Sequence, residues 1–285
     1  MPSRRTFLKL SAAAAALVPA CRGDETKQVV VAAVNPGVVR VASVPTAVEG
    51  DLLPHLLADF PSKTELVSGP DVYDRARVGQ VDLVISHYGH RDCEQFVMDG
   101  LGEWPRTVFS NQMALVGPPS DPANVRGLTD AAEAFRRIAA SKSPFVLNDV
   151  DGVRYLTEIL WSCCGRPARD GWFLDEKHQK QDAMVIASQR GAYTLWGLTP
   201  FLRTSKVTTL ALEPLVLADP LLQRLIVTVV VKAPGANIEG ARAVQSHFLS
   251  PAMQARIRAT RYPTEHDVFW VPAGRHNRTA ILPKA

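Results

Sequence analysis

The sequence predicts an α/β protein of two lobes that are joined by two crossing strands. Two apolar, partly β-branched runs carry this prediction, residues 113–116 and residues 225–231, and each soon meets a proline, Pro118 or Pro234. These runs separate three blocks in which short strands alternate with helices. Such alternation favours a parallel or mixed sheet that is covered on both faces. Ligands of such sheets bind beyond the carboxyl ends of the strands, so we expect a site in the cleft between the lobes.

The first block predicts a lobe of three strands and their helices, and the tail of the chain is expected to pack back on it. Alternating apolar residues mark the strands, and leucines spaced along one face mark the first helix. The predicted elements are strand 38–44, helix 49–60, strand 64–67, helix 73–78, strand 81–87, helix 92–99 and tail helices 238–250 and 251–260. We assign residues 38–114 and 229–285 to this lobe.

The second block predicts the other lobe, residues 115–228. Thr129 is a predicted cap for its first helix, and residues 149–152 turn into its second helix, which carries Tyr155 and Trp161. The other predicted elements are helix 129–141, strand 144–147, strand 171–174, helix 181–189, strand 192–196 and strand 208–212.

The leader carries the most specific local motif. Residues 3–9 match the twin-arginine export motif at every position, and residues 10–20 form an apolar run only about half as long as a membrane span. Residues 17–21 then resemble a lipoprotein signal box that ends at Cys21. We therefore expect residues 1–21 to be a twin-arginine lipoprotein signal and residues 22–37 a tether. The mature chain would be periplasmic or otherwise extracytoplasmic, and anchored to the membrane through lipidated Cys21.

The composition is that of a soluble globular protein, with 46% hydrophobic and 21% charged residues in a chain of 285. The formal net charge is +4, but the leader carries Arg4, Arg5 and Lys9. Removing these three from the 32 basic residues leaves 29 against 28 acidic ones. A mature net charge of about +1 gives no basis for nucleic-acid binding.

Three cysteines follow Cys21, namely Cys93, Cys163 and Cys164. An odd number without regular spacing predicts neither a disulfide framework nor a metal site. A bridge between the adjacent pair would need strained geometry, and twin-arginine substrates typically cross the membrane already folded. We therefore expect packed, structural thiols.

An ordered series of segments then points to a family. These segments are residues 81–87, 96–102, 111–118, 121–123, 171–174 and 187–195. Through them the chain resembles, over about residues 38–269, the tungstate-binding proteins of ABC transporters, which have the type II periplasmic-binding-protein fold. The resemblance implies two lobes with two crossing hinge strands, and a protein that delivers a small solute to an ABC permease. We expect a monomer that needs no cofactor.

The ligand motifs of that family are altered here. Where the family has three threonines and a serine, this chain has residues 42–45 and then Thr46, so most hydroxyls are missing. Where the second family motif has an arginine, this chain has Asn148, with Asp149 beside it. An amide cannot replace a charge-assisted, often bidentate contact to a dianion, and a carboxylate would repel it. We expect weak or absent tungstate binding unless another basic residue, such as Arg154, has taken over.

Polar residues on loops that should face the cleft are the candidate ligand-binding residues. They are Ser43, Thr46, Ser68, His87, Asn148, Asp151 and Gly152. For Ser43 and Thr46, helix capping is as good an interpretation as ligand contact. The helices that follow Thr46 and Asp151 would also offer free amides and a positive dipole end.

His87 and Trp196 have alternative interpretations. A structural role for His87 is favoured over ligand contact by about two to one. Its spacing from His90 predicts no metal site, because no Cys, Asp or Glu completes a ligand set. Trp196 stands where the family has a small hydroxyl residue, and could fill volume that the ligand otherwise occupies.

Three functions compete. The first is an extracytoplasmic lipoprotein that binds a small solute, with an anion favoured, for an ABC importer. The second is a degenerate binding domain that acts as a sensor or protein-interaction module without transport, and the lost arginine and hydroxyls support it. The third is an enzyme, but the sequence shows no nucleophile–base pair, carboxylate pair, metal set or phosphate loop. We therefore predict a binding protein and not an enzyme.

Overall fold

The structure is a computed structural model, and it describes residues 37–261 and 271–272. The leader and Cys21 lie outside the described residues. Within those ranges, none of the helices combines the length and the apolar character that a membrane span requires.

The first lobe is built on three parallel strands. Its elements are β1 (Val39–Ser43), α1 (Pro45–Glu49), α2 (Leu52–Leu57), β2 (Thr64–Ser68), α3 (Val72–Arg77), β3 (Leu83–His87) and α4 (Arg91–Met98). Strand β1 lies between β2 and β3 and pairs in parallel with both. Ser43, Ser68 and His87 are the last residues of these strands, so they lie at the same edge of the sheet, the edge where ligands bind in such folds.

The helix predicted over residues 49–60 is present as α2 but is shorter, at Leu52–Leu57, and a separate helix, α1, forms before it, with Gly50 and Asp51 between the two. Asp51 adopts a left-handed conformation, with φ of 56°. Pro54 accounts for the break, since in a continuous helix its ring would clash with the carbonyl of residue 50. The leucines of α2 still face inward, as their spacing predicts.

The remaining elements run from the first crossing strand to the tail. They are β4 (Arg106–Gly117), α5 (Ala131–Ser141), β5 (Phe145–Val146), α6 (Asp151–Cys163), β6 (Phe173–Leu174), α7 (Lys180–Gln189), β7 (Thr194–Gly197), α8 (Leu198–Val207), β8 (Glu213–Val216), a 3-10 turn (Pro220–Leu222), β9 (Gln223–Val230), α9 (Ile238–Leu249), α10 (Pro251–Ala259) and β10 (Val271–Pro272).

Strands β4 and β9 cross between the two lobes, as predicted. The first half of β4, up to Gln112, pairs antiparallel with β9, and β9 pairs antiparallel with β3 of the first lobe. From Met113 onward, β4 pairs with β7 and β8 of the second lobe. The order β10-β4-β9-β3-β1-β2 therefore continues into the second lobe through β4.

Strand β4 is longer than the predicted run of residues 113–116. It begins at Arg106, and Ser110, Asn111 and Gln112 in its middle are polar but buried. The strand predicted over residues 208–212 is wrong, because β8 forms at Glu213–Val216, where β4 provides a pairing partner. In both places pairing with a distant strand decides the boundaries, and local apolar patterning does not report it.

Apolar packing covers the faces of both lobes. One cluster fills the second lobe around Phe135, Phe145 and Trp172. Two clusters cover the sheet of the first lobe, and the larger one also includes Met184 and Phe201 from α7 and α8. Burial of each such large side chain contributes about 1.5–3 kcal/mol before entropy is counted. Both crossing strands contribute to two clusters, β4 through Phe109 and Met113 and β9 through Ile226 and Val227.

The three described cysteines are free, as predicted. Cys93 and Cys164 are buried and fit the expected packed thiol. Cys163 is exposed, which corrects that expectation. It lies at the last position of α6, where the helix turns its end to solvent.

Candidate functional site

The strand ends of the first lobe offer fewer hydroxyls to the cleft than predicted. Ser43 is buried, and its Oγ donates to the carbonyl of Val44 at 3.0 Å. Ser68 lies opposite Ser43 in the sheet and is exposed. Thr46 is half-buried in α1, which has only five residues and so develops little helix dipole. The structure therefore places these three residues near one another, but it commits the Ser43 hydroxyl to the backbone.

Asn148 is fully buried and holds the chain together locally. Its Oδ1 accepts a hydrogen bond from the backbone N–H of Lys180 at 2.8 Å, and its Nδ2 donates to the carbonyl of the same residue at 3.2 Å. The side chain therefore connects the loop before α6 to the first residue of α7. Because both of its polar groups are engaged, Asn148 does not stand in for the arginine of the family motif.

Asp149 and Arg154 compensate each other. The Nε of Arg154 donates to Asp149 Oδ1 at 2.5 Å, and its two Nη atoms donate to the carboxylate of Asp175 at 2.7 and 3.1 Å. These contacts raise the pKa of Arg154. The guanidinium that the sequence suggests as a replacement cation is thus bound between two carboxylates, and the expectation that Arg154 meets an anion is not supported.

Asp151 and Gly152 open α6. Asp151 is exposed at the first helical position, and the preceding Val150 provides no side-chain cap. Gly152 has a more specific role, because its carbonyl accepts a hydrogen bond from Arg224 Nη1 at 2.9 Å. A Cβ at residue 152 would lie 2.7 Å from Nη2 of that guanidinium, so any larger residue would displace the guanidinium from this position.

Arg224 is the residue that the sequence analysis missed. It lies on β9 directly opposite Asn111 of β4, and its Nη1 is 3.9 Å from Met113 Sδ. Its side chain is partly buried, and burial lowers the pKa of Arg224, although a guanidinium stays charged at neutral pH. In the ranges that the structure describes, no carboxylate forms an ion pair with it.

His87 faces Arg224 from the first lobe. It pairs in register with Ile226, and Arg224 lies two residues further along β9 on the same face. Burial lowers the pKa of His87 to about 3, and the positive charges of Arg224 and His90 lower it as well. The interaction with Asn111 acts in the opposite direction and raises this pKa. The imidazole is therefore neutral at physiological pH, and a positive charge at this point comes from Arg224.

Asn111 is a further polar residue where β4 and β9 pair, opposite Arg224. Asn111 is 3% exposed, and its side chain lies close enough to His87 to interact with the imidazole, but this contact falls outside ordinary hydrogen-bond geometry, so Oδ1 is left without a well-formed hydrogen bond among the described residues. Buried polar atoms are normally paired, so an unpaired one beside a cation is a mark of a binding site. We call Arg224, Asn111, His87 and Gly152 the crossing site. No group of three or more metal-ligating side chains occurs in the described part of the chain.

Two other features define the surroundings of the crossing site. Trp196 is half-buried on β7, and its indole N–H has no partner among the described residues. Arg203 of α8 and Glu49 of α1 form an ion pair at 2.5 Å that bridges the lobes. Both side chains of this pair are well exposed, so it contributes little stability, but it shows the lobes in contact on that side.

A sequence signal for Arg224 does exist. It is the one charged residue in the otherwise apolar or polar strand QRLIVTVV, and the predicted run began at Leu225, one residue after it. A charge at the start of a buried strand has to be paired or functional. Asn111 gave a weaker signal, as a buried polar residue in the middle of β4.

Comparisons with known proteins find relatives of the leader and of the rest of the chain. Residues 1–18 match the family described as the TAT (twin-arginine translocation) pathway signal sequence. A putative ABC transporter anion-binding protein of Haloferax volcanii is 30% identical over 193 residues, which cover 65% of this chain and 56% of that protein. The chain thus matches little more than half the length of that relative. The tungstate-binding protein TupA of Peptoclostridium acidaminophilum is 25% identical over 78% of this chain and 80% of its own.

Solved structures show the same fold. The tungstate-binding protein TupA from Desulfovibrio alaskensis G20 superposes with a TM-score of 0.72 at 21% identity, over 84% of this chain and 99% of that one. The tungstate ABC transporter protein from Geobacter sulfurreducens gives a TM-score of 0.63 at 21% identity, over 76% and 95%. The chain is homologous to the tungstate-binding protein TupA of Peptoclostridium acidaminophilum, and it has the two-lobed α/β fold of the solved tungstate-binding proteins.

Proposed function

We propose that this protein is the extracytoplasmic solute-binding component of an ABC importer and that its solute is a small anion. Homology to an anion-binding and a tungstate-binding protein supports the proposal. The twin-arginine match supports export. Both relatives are described as binding proteins, so binding and not catalysis is the activity that we assign.

The observation that carries the anion assignment is the guanidinium of Arg224. It lies where the lobes meet, it is partly removed from water, and it forms no ion pair within the described residues. A desolvated charge without a counter-charge is costly in a protein, and an anion bound beside it would offset that cost.

We further infer that the pocket is degenerate with respect to tungstate. The position of the family arginine is occupied by Asn148, which is bound to Lys180, and the nearby Arg154 is held by Asp149 and Asp175. A doubly charged oxyanion would find neither cation at the start of α6. Tungstate and molybdate should therefore bind much more weakly than they bind to the tungstate-binding relatives.

Calorimetric titration of the exported chain, without residues 1–21, tests both statements. We expect heat of binding from a small anion, and much weaker binding of tungstate and molybdate. Submicromolar tungstate binding would contradict the degenerate pocket and leave the importer function standing. A folded protein that binds no anion would contradict the small-anion function.

The second candidate function is a sensor or protein-interaction module without transport. Engaged Asn148 and half-buried Trp196 favour it, because both place protein groups where the family would hold ligand. The distinguishing measurement is uptake. Cells that lack this protein should lose import of the anion found by calorimetry if it serves a permease, and should keep it if the protein is a sensor.

Membrane attachment through Cys21 and a monomeric state are part of the proposal. Cys21→Ala should release the exported protein from the membrane, whereas Arg4→Lys with Arg5→Lys should leave precursor in the cytoplasm. Export that persists in the double variant would mean that the general secretion pathway is used. Light scattering at micromolar concentration tests whether the protein is a monomer.

A further inference from the structure

We propose that the crossing site binds a small anion with a single negative charge that also retains one O–H group, and that the Nε–Nη2 edge of Arg224 holds its oxygens. This inference rests on the proposed function, since it names the ligand class and the contacts at that site.

The first step is the orientation of the guanidinium. Nη1 of Arg224 is directed to the carbonyl of Gly152 and toward the sulfur of Met113, which fixes the plane of the group. Nε and Nη2 donate to no residue in the described part of the chain. Two adjacent, parallel N–H groups on a fixed plane match two oxygens of one anion, in the bidentate arrangement that an arginine prefers.

The second step is the charge of the ligand. At the crossing site His87 is neutral, and Arg154 is already compensated by Asp149 and Asp175. Arg224 therefore contributes one positive charge against the ligand. A ligand with one negative charge is neutralised, whereas a dianion would leave one buried charge uncompensated, at considerable cost.

The third step is the acceptor beside the cation. Asn111 lies directly opposite Arg224, and beyond its loose contact with His87 its buried Oδ1 accepts no hydrogen bond of ordinary geometry from a described residue. A ligand that bound only through acceptor oxygens would leave this atom unpaired. An anion with its own O–H would donate to Oδ1 and present its charged oxygens to Arg224. Glycolate is an organic example of this chemistry, and hydrogencarbonate is an inorganic one.

The test is a calorimetric comparison of defined probes on the exported chain. Glycolate and hydrogencarbonate represent the proposed class from its two sources, acetate lacks the O–H, and sulfate and tungstate are dianions. We expect at least one of the first two to bind more tightly than acetate and than both dianions. Arg224→Gln should weaken that binding by about 10- to 100-fold. Arg224→Lys should bind more tightly than Arg224→Gln but less tightly than the unaltered chain, because an ammonium keeps the charge and lacks the two parallel N–H groups of a guanidinium.

The matched control is Arg106→Gln. Arg106 is exposed at the start of β4, so its substitution removes the same charge from the same pair of strands away from the crossing site. The Arg106→Gln variant should bind the anion with the same affinity as the unaltered chain. Circular dichroism of each variant checks that it folds, and if Arg224→Gln does not, Arg224→Lys serves as the test.

The outcomes separate this inference from the proposed function. No binding of any probe would overturn the proposed function and the inference together. Tighter binding of sulfate or tungstate than of every monoanion would overturn the single charge, while anion binding itself would stand. Equal affinity for acetate and glycolate would overturn the role of Asn111. Unchanged affinity in a folded Arg224 variant would overturn the role of Arg224.

Discussion

Two neighbouring regions, the start of α6 and the crossing of β4 with β9, differ in how their charges are compensated. At the start of α6, Arg154 lies between Asp149 and Asp175, and the buried Asn148 is bound to backbone. At the crossing, the hydrogen bonds that the Arg224 guanidinium donates to described residues go to a carbonyl and a thioether, and none goes to a carboxylate. This difference shows that the type of a residue does not by itself identify a side chain that binds ligand. A polar side chain with all its partners stabilises the fold, and one without them is available to a ligand.

The strongest test of this difference is Asn148→Arg, which places the family's arginine in its expected position. Because Asn148 is fully buried and both of its hydrogen bonds reach Lys180, the larger cation would be buried without a counter-charge. We expect a loss of about 3–5 kcal/mol in the free energy of unfolding and no gain in tungstate affinity. Urea unfolding and titration measure the two effects. A stable variant that binds tungstate would show that the site is open to ligand.

A comparison of Arg154→Gln with Arg224→Gln sharpens the contrast. Loss of Arg154 leaves two partly buried carboxylates without their partner, so we expect destabilisation of about 1–2 kcal/mol with unchanged anion affinity. Loss of Arg224 removes a desolvated charge that has no ion-pair partner among the described residues. Its stability should be unchanged or slightly higher, and its anion affinity lower. If urea unfolding showed equal destabilisation of the Arg154→Gln and Arg224→Gln variants, the proposed difference between the two arginines would be wrong.

The two regions should contribute to the pH dependence of stability in different ranges of pH. The pKa of His87 is about 3 in the folded chain, against about 6.5 when unfolded, so between these values the unfolded state binds more protons. Unfolding free energy should therefore fall as the pH drops from 6.5, by at most about 1.4 kcal/mol per pH unit. Hydrogen bonds from Arg154 lower the pKa of Asp175, so its contribution is present above about pH 3.9 and is lost below it.

Urea unfolding of the unaltered chain and of His87→Gln between pH 7 and pH 3 measures this. The variant should lose the slope between pH 6.5 and 4 and keep the decline below pH 4, which belongs to the carboxylates. An unaltered slope in the variant would mean that His87 is solvated in the folded state.

The smallest expected effect on stability is that of Gly152→Ala. Alanine favours the helix by up to about 1 kcal/mol relative to glycine, but its Cβ would force the guanidinium of Arg224 to move. Stability should change little, while anion affinity falls severalfold. In the Arg224→Gln background the same change should have no further effect on affinity, since the group it displaces is gone. Additive losses in this double-mutant cycle would show that Gly152 acts independently of Arg224.

The fold was predictable to a large extent because its signals are local. Apolar runs and their prolines marked the crossing strands, and strand endings placed Ser43, Ser68 and His87 at one edge of the sheet. One error arose from a proline within the predicted segment, and the others arose where a distant strand decided the boundaries. Pro54 broke the first helix, buried polar residues concealed the first half of β4, and strand pairing placed β8 after the expected residues.

The candidate site was predicted only in outline. The sequence singled out Gly152 as a candidate ligand contact, and in the structure its backbone packs against the guanidinium of Arg224. Asn148 was expected to contact a ligand and Asp149 to repel a dianion, and in the structure both side chains are engaged with protein groups. Whether any of these residues contacts a solute stays a prediction until a ligand is found.

The sequence by itself determined the export leader, the order of strands and helices, and the crossing of two strands, because each depends on residues close together in the chain. Only the tertiary structure decided which charges are compensated. Arg154 meets Asp175 across 21 residues, and Arg224 meets the Gly152 carbonyl across 72. Such contacts form when distant segments pack, and desolvation by the same packing sets the cost of any charge left without a partner.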